Sequence, residues 1–142
     1  MKVKFIVFGS PQGKARPRFV NRGKFMKAYT PDATVDYENQ IRAEFYRQCG
    51  KRRFGDNDML DMRIMAYYSI PASTSKKKQK AMEEGEMRPT KKPDFDNIGK
   101  VVADALNSIA YRDDAQVVDS QIRKFYSRNP RLEVTIQTAS KR

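Results

Sequence analysis

The sequence predicts a single mixed α/β domain, of the α+β kind, in which helices pack on a mixed sheet. Three observations carry this expectation. The chain has 142 residues, enough to bury one core and too few for two independent ones. Residues 60–70 carry an apolar or aromatic side chain at every second position, the pattern of a strand with one buried face. Residues 95–109 instead repeat their apolar side chains at helical spacing, and no internal repeat divides the chain.

Taken in order, Lys2 to Phe8 mixes β-branched and aromatic residues over the length of a strand, and Gly9, Ser10 and Pro11 punctuate its end. Residues 9–30 carry Gly13, Pro17 and Gly23 amid dense basic charge, interleaved with Phe19, Phe25 and Tyr29. They read as a basic loop or irregular hairpin. Thr30, Pro31 and Asp32 make a helix start, Tyr37, Ile41 and Phe45 repeat at i, i+4, and Gly50 stops the pattern, which predicts a helix over 31–49.

In the clearest strand, Leu60, Met62, Ile64, Ala66, Tyr68 and Ile70 alternate with Asp61, Arg63, Met65 and Tyr67, and Pro71 ends it. Ser73 to Glu84 is polar all round, a short exposed helix at most, so residues 72–90 read as an insertion. From Pro93 onward Phe95, Ile98, Val101, Val102, Ala105, Leu106 and Ile109 predict a helix buried on one face. Asp96, Lys100 and Asp104 lie four apart on another face, with Asn107 close to that row. Gln121 to Tyr126 and Leu132 to Thr138 flank a turn-like Ser127 to Pro130 and read as a closing antiparallel hairpin. The expected order is strand, helix, strand, helix, helix, strand, strand.

Charge narrows the partners. Lys and Arg number 29 against 17 Asp and Glu, a formal net charge of +12. From Met1 to Pro31 every charged side chain is basic: Lys2, Lys4, Lys14, Arg16, Arg18, Arg22, Lys24 and Lys27. Such a segment suits a phosphate backbone, so a nucleic acid is the expected partner, although charge does not separate DNA from RNA. Cys49 is the single cysteine and the chain has no His, which excludes an internal disulfide, a Cys/His zinc site and every His-dependent triad. Catalysis must then run on carboxylates, Lys or a metal. Met1 to Gly9 lacks a signal-like apolar region and no segment is apolar over the length of a membrane span, so the chain is expected to work in the cytoplasm without membrane contact.

Phosphodiester hydrolysis needs hard cations, and hard cations are held by carboxylate oxygens. Asp94 and Asp96 flank the start of the 95–109 helix, Asp114 follows its return, and Lys91 and Lys92 lie just upstream. Each residue also has a plain structural use. Asp94 and Asp96 suit a helix cap and first turn, Asp113 and Asp114 suit a turn, and Lys100 suits an i, i+4 pair with Asp96.

The run Lys92, Pro93, Asp94, Phe95, Asp96, Asn97 and Ile98, followed by Lys100, Asp104, Ala105 and Leu106 and then by Asp113, Asp114, Ala115, Gln116, Val117 and Val118, resembles the core signature of the RusA family. Gly9 to Tyr29, with a Gly-x-Pro start and Lys14, Arg16, Pro17 and Arg18, is more weakly similar to the family's amino-terminal segment. Residues 72–90 form a longer connection than in the shortest members. Pro93 also interrupts what can be a continuous arginine run in the family.

The resemblance implies a RusA-like domain and a homodimer that binds four-way DNA junctions and nicks two opposed strands, in recombination and repair. It implies magnesium, with manganese as a possible substitute, and no small-molecule cofactor. By motif position the metal falls to Asp94, Asp96 and Asp114 and the catalytic lysine to Lys100, with water attacking the scissile phosphorus and Lys100 stabilising phosphate charge or the leaving oxygen. Lys14, Arg16, Arg18, Arg22, Lys24, Lys91 and Lys92 are the expected DNA contacts. Two other classes stay open on the sequence: an inactive DNA-binding protein, and a metal-dependent nuclease on RNA or unbranched DNA.

Overall fold

A computed structural model describes residues 1–23 and 25–141. The α+β expectation holds: a mixed sheet of four strands carries packed helices on one face. Strand β1 (Lys2–Phe8) is followed by a separate hairpin, β2 (Arg18–Arg22) with β3 (Phe25–Tyr29), so the basic loop resolves into a two-stranded arm. Helix α1 (Asp32–Cys49) ends where Gly50 takes a φ of 67° and donates its N–H to Tyr46 O, the left-handed stop that glycine accepts most readily. Then come β4 (Leu60–Ser69), the short α2 (Lys76–Glu83) inside the 72–90 segment, α3 (Phe95–Leu106), a 3-10 turn (Asp114–Gln116), β5 (Val117–Ser127) and β6 (Arg131–Thr138).

The sheet order is β1-β6-β4-β5. This corrects the expected closing hairpin: β6 does not pair with β5 but inserts antiparallel between β1 and β4, while β5 runs parallel to β4 at the edge. Burial explains the choice. Leu132, Val134 and Ile136 of β6 are completely buried and suit a central strand. β5 places Ser120 and Lys124 on the same face as the core residues of β4, and only an edge strand tolerates those. The parallel pairing requires a long crossover, which α2 and α3 supply.

The core lies between the sheet and the α1–α3 layer. Val3, Phe5 and Val7 of β1 and Met62, Ile64 and Ala66 of β4 meet Tyr37, Ile41 and Phe45 of α1 and Ile98, Val101 and Val102 of α3. Each fully buried side chain of this size contributes about 1.5–3 kcal/mol. One expected core residue is not there: Phe95 is 66% exposed, because the packed stretch of α3 begins only at Ile98. The first turn of α3 therefore projects beyond the core, carrying Asp94 and Asp96 with it. Among the described residues no helix is long and apolar enough to cross a membrane.

Candidate active site

Asp94 occupies the N-cap of α3 in extended conformation, with φ −71° and ψ 155°, yet its side chain makes no capping hydrogen bond. Its carboxylate is thus not spent on the helix end. Two residues later Asp96 lies in the first turn, and Lys100 follows it one turn on. The ten-residue β4 and the long β5 lie beneath, so the side of α3 that faces them opens a cleft of about 290 Å³. Asp96, Lys100 and Asp114 line it at one end, over an apolar wall that includes Met62, Ile64, Gly99 and Ile122.

Asp114 reaches this cleft because the return from α3 to β5 is pinned on several sides. Asn107 Oδ1 accepts the Asp114 N–H at 3.0 Å, and Asn107 also forms a parallel bridge with Tyr111. Tyr111 is wholly buried and its hydroxyl donates to Ala103 O at 2.8 Å. Asp113 caps the 3-10 turn, accepting from Ala115 N–H, while Gln116 Oε1 accepts from the Asp113 N–H in a reciprocal capping box. Gln116 further donates to Gly55 O and Asp58 O. Asp113 is thus the structural partner of the Asp113–Asp114 pair. Burial, followed by the charges of Asp113 and Asp104, holds the Asp114 carboxyl above the usual carboxylate range.

Asp94 lies on a different opening. A second cleft, of about 690 Å³, runs between the root of the basic arm and the start of α3, lined by Lys14, Arg16, Lys92, Asp94 and Asn97 among others. The fold therefore brings Asp96, Lys100 and Asp114 together and sets Asp94 at the adjoining groove with Arg16 and Lys92. Among the described residues no three acidic, Cys or His side chains converge as a complete metal-ligand set. Magnesium does not need one, since it commonly takes one or two carboxylates and completes its shell with water and substrate phosphate. The hard-oxygen pair Asp96 and Asp114 on one open cleft fits that requirement.

The expected DNA contacts divide. Arg16 and Arg18 are exposed on the arm, Lys91 and Lys92 are exposed beside Asp94, Arg22 belongs to β2, and Lys24 lies outside the described residues. Lys14 is turned inward, its ammonium 3.2 Å from Glu38 and 3.3 Å from Asp104. Two residues near Asp94 were not singled out from sequence. Lys124 reaches across from β5 to donate to Lys91 O at 2.7 Å, with its ammonium 5.0 Å from the Tyr68 ring centre. Burial pulls its pKa down against the opposing charge of Asp94. Tyr68 donates to Pro93 O. Both brace the 91–93 segment that delivers Asp94, and a strand-period pattern records neither, because the signal is a contact across the sheet.

A family model described as endodeoxyribonuclease RusA matches residues 9–137, from the root of the arm through β6. The chain belongs to the RusA endodeoxyribonuclease family. The uncharacterized protein YqaN of Bacillus subtilis strain 168 is 36% identical to this RusA-family chain over 138 residues, 97% of each. The match takes in both clefts, so the RusA resemblance read from the aspartate block extends to the arm and to the α1–α3 layer that supports it.

Proposed function

We propose that the protein is a junction-selective endodeoxyribonuclease, a cytoplasmic homodimer that resolves four-way DNA by paired magnesium-dependent nicks during recombination and repair. One observation carries the reading most: Asp96, Lys100 and Asp114, drawn from two separate segments, line one cleft beside a groove bearing Arg16 and Lys92. Family membership supplies the endodeoxyribonuclease chemistry.

Asp96 and Asp114 would hold the cation, with Asp94 approaching from the adjoining groove, and manganese can substitute for magnesium. A bound divalent ion supplies charge neutralisation at the phosphate and a more acidic water. The chain's own residues do the rest. Lys100 presents an ammonium to the same cleft, where it balances phosphate charge and, in the transition state, the charge that develops on the leaving oxygen. Arg16, Arg18, Lys91 and Lys92 attract and align the flanking backbone without reading sequence. Asn107 and Tyr111 keep the 113–116 turn in register with α3, so that Asp114 meets Asp96 without a loop having to order during the reaction.

The test is a substrate panel: a labelled four-way junction, a linear duplex, single-stranded DNA and a matched RNA, each with and without magnesium. Paired nicks confined to the junction and to the magnesium arms are expected. Equal cutting of unbranched DNA or RNA would overturn the reading in favour of a general nuclease, and junction binding without cutting under every metal tried would favour an inactive binding protein.

A further inference from the structure

The basic arm has little to orient it. Among the described residues its strands pair only with each other, and Phe19, Val20, Met26 and Tyr29 are exposed. A lone two-stranded hairpin is marginal in water, so its direction must be set at its root. There the Lys14 N–H donates to Asn97 O at 2.9 Å and the Ala15 N–H donates to Thr34 Oγ1 at 3.2 Å. Gly13 lies so close to α3 that a Cβ would stand 2.9 Å from Asn97 Cβ and 3.0 Å from Pro93 Cβ.

The Lys14 side chain continues this docking instead of turning to solvent. Its ammonium sits 3.2 and 3.3 Å from the two oxygens of Glu38 on α1, and 3.3 Å from Asp104 Oδ2 on α3. An ammonium carries three donors, and here three carboxylate oxygens stand within reach of them. One positive charge answers two negative ones, which leaves none to offer a phosphate. Glu38 in turn is buried, and a buried carboxylate needs a partner. Asp104 lies on the α3 face that carries Asp96 and Lys100.

We infer that Lys14 is a positioning residue, an internal tether that docks the root of the basic arm on α1 and α3 beside the catalytic cleft, and not one of the arm's phosphate contacts. Its consequence for DNA rests on the function proposed above, whereas its effect on the arm does not.

The decisive comparison uses opposite signs. Junction affinity is measured without divalent metal across a salt series for Lys14→Gln, Glu38→Gln, Asp104→Asn and Arg18→Gln, alongside hydrogen exchange of the arm amides in DNA-free protein. A tether predicts that the first three variants each speed arm exchange and weaken binding several-fold with the salt slope unchanged. Arg18→Gln should instead lower the log–log slope by about 0.9 and leave exchange alone. If Lys14 served a phosphate, Lys14→Gln would itself lower the slope, and freeing the ammonium by Glu38→Gln or Asp104→Asn would tighten binding. Either result overturns the tether, as does unchanged exchange. Should Lys14→Gln fail to fold, Asp104→Asn, on the partner with 39% of its side chain exposed, decides the sign. Exchange needs no DNA, so a failure of junction selectivity in the panel is distinguishable from a failure of the tether.

Discussion

Asp96 and Asp114 meet at one cleft although each comes from a different kind of structure, the first turn of a helix and a capped 3-10 turn. Replacing a carboxylate by its amide keeps shape and removes ligand charge. Asp94→Asn, Asp96→Asn and Asp114→Asn are therefore each expected to lower cutting by about 100-fold or more while junction binding holds or tightens. Single-turnover cutting and gel-shift titrations check both halves, and near-normal cutting in any two variants would refute the site. At this scale the sequence was informative where chemistry leaves a mark in residue type. The family's motif pointed to Asp94, Asp96, Lys100 and Asp114 together, of which Asp96, Lys100 and Asp114 line one cleft and Asp94 lines the other. The inward turn of Lys14 was not, because a lysine in a basic run looks alike whether it faces phosphate or a buried glutamate from a helix that begins well downstream.

Single elements carry the precision of the site. α3 supplies Asp96 and Lys100 on one face while Ile98, Val101, Val102, Ala105 and Leu106 bury the other, so the proposed catalytic side chains stand on a fixed base. The return to β5 is braced by the buried Tyr111, whose hydroxyl donates to the partly buried Ala103 O. Tyr111→Phe deletes that bond with little change of volume, and the expected loss is about 1 kcal/mol, the net worth of one hydrogen bond to a partly buried acceptor. Urea denaturation reads this directly, and a companion fall in cutting, smaller than that of Asp114→Asn, is expected as the 113–116 turn loosens. Unchanged stability would show that Ala103 O is satisfied without the tyrosine. Helix and strand ranges were mostly readable from periodicity, as with β4 and α1. Pairing was not: β5 and β6 follow each other through a turn-like segment, yet β4 stands between them.

For the molecule as a whole, a junction must be nicked on two opposed strands, and a closed dimer with two-fold symmetry offers two identical sites to them. One chain supplies one Asp96–Lys100–Asp114 cleft. Mixing active protein with Asp96→Asn protein is accordingly expected to give heterodimers that nick a single strand of the junction, read as singly nicked product on a denaturing gel. Light scattering that returns a monomer at the concentrations where paired nicks appear would remove the homodimer from the proposal.

Local chemistry and periodicity can be read from the residues alone. They carry the α+β class, the reach of most elements, the positive charge gathered before residue 31, and the acidic motif on which the RusA resemblance rests. Tertiary packing set which strands are neighbours, which of the motif's aspartates share a cleft, and which basic side chains stay exposed. These are outcomes of competition between segments distant in the chain. β6 takes the central place because its buried face is fully apolar and that of β5 is not, and Lys14 is drawn inward because the buried Glu38 and neighbouring Asp104 hold its ammonium more closely than solvent would.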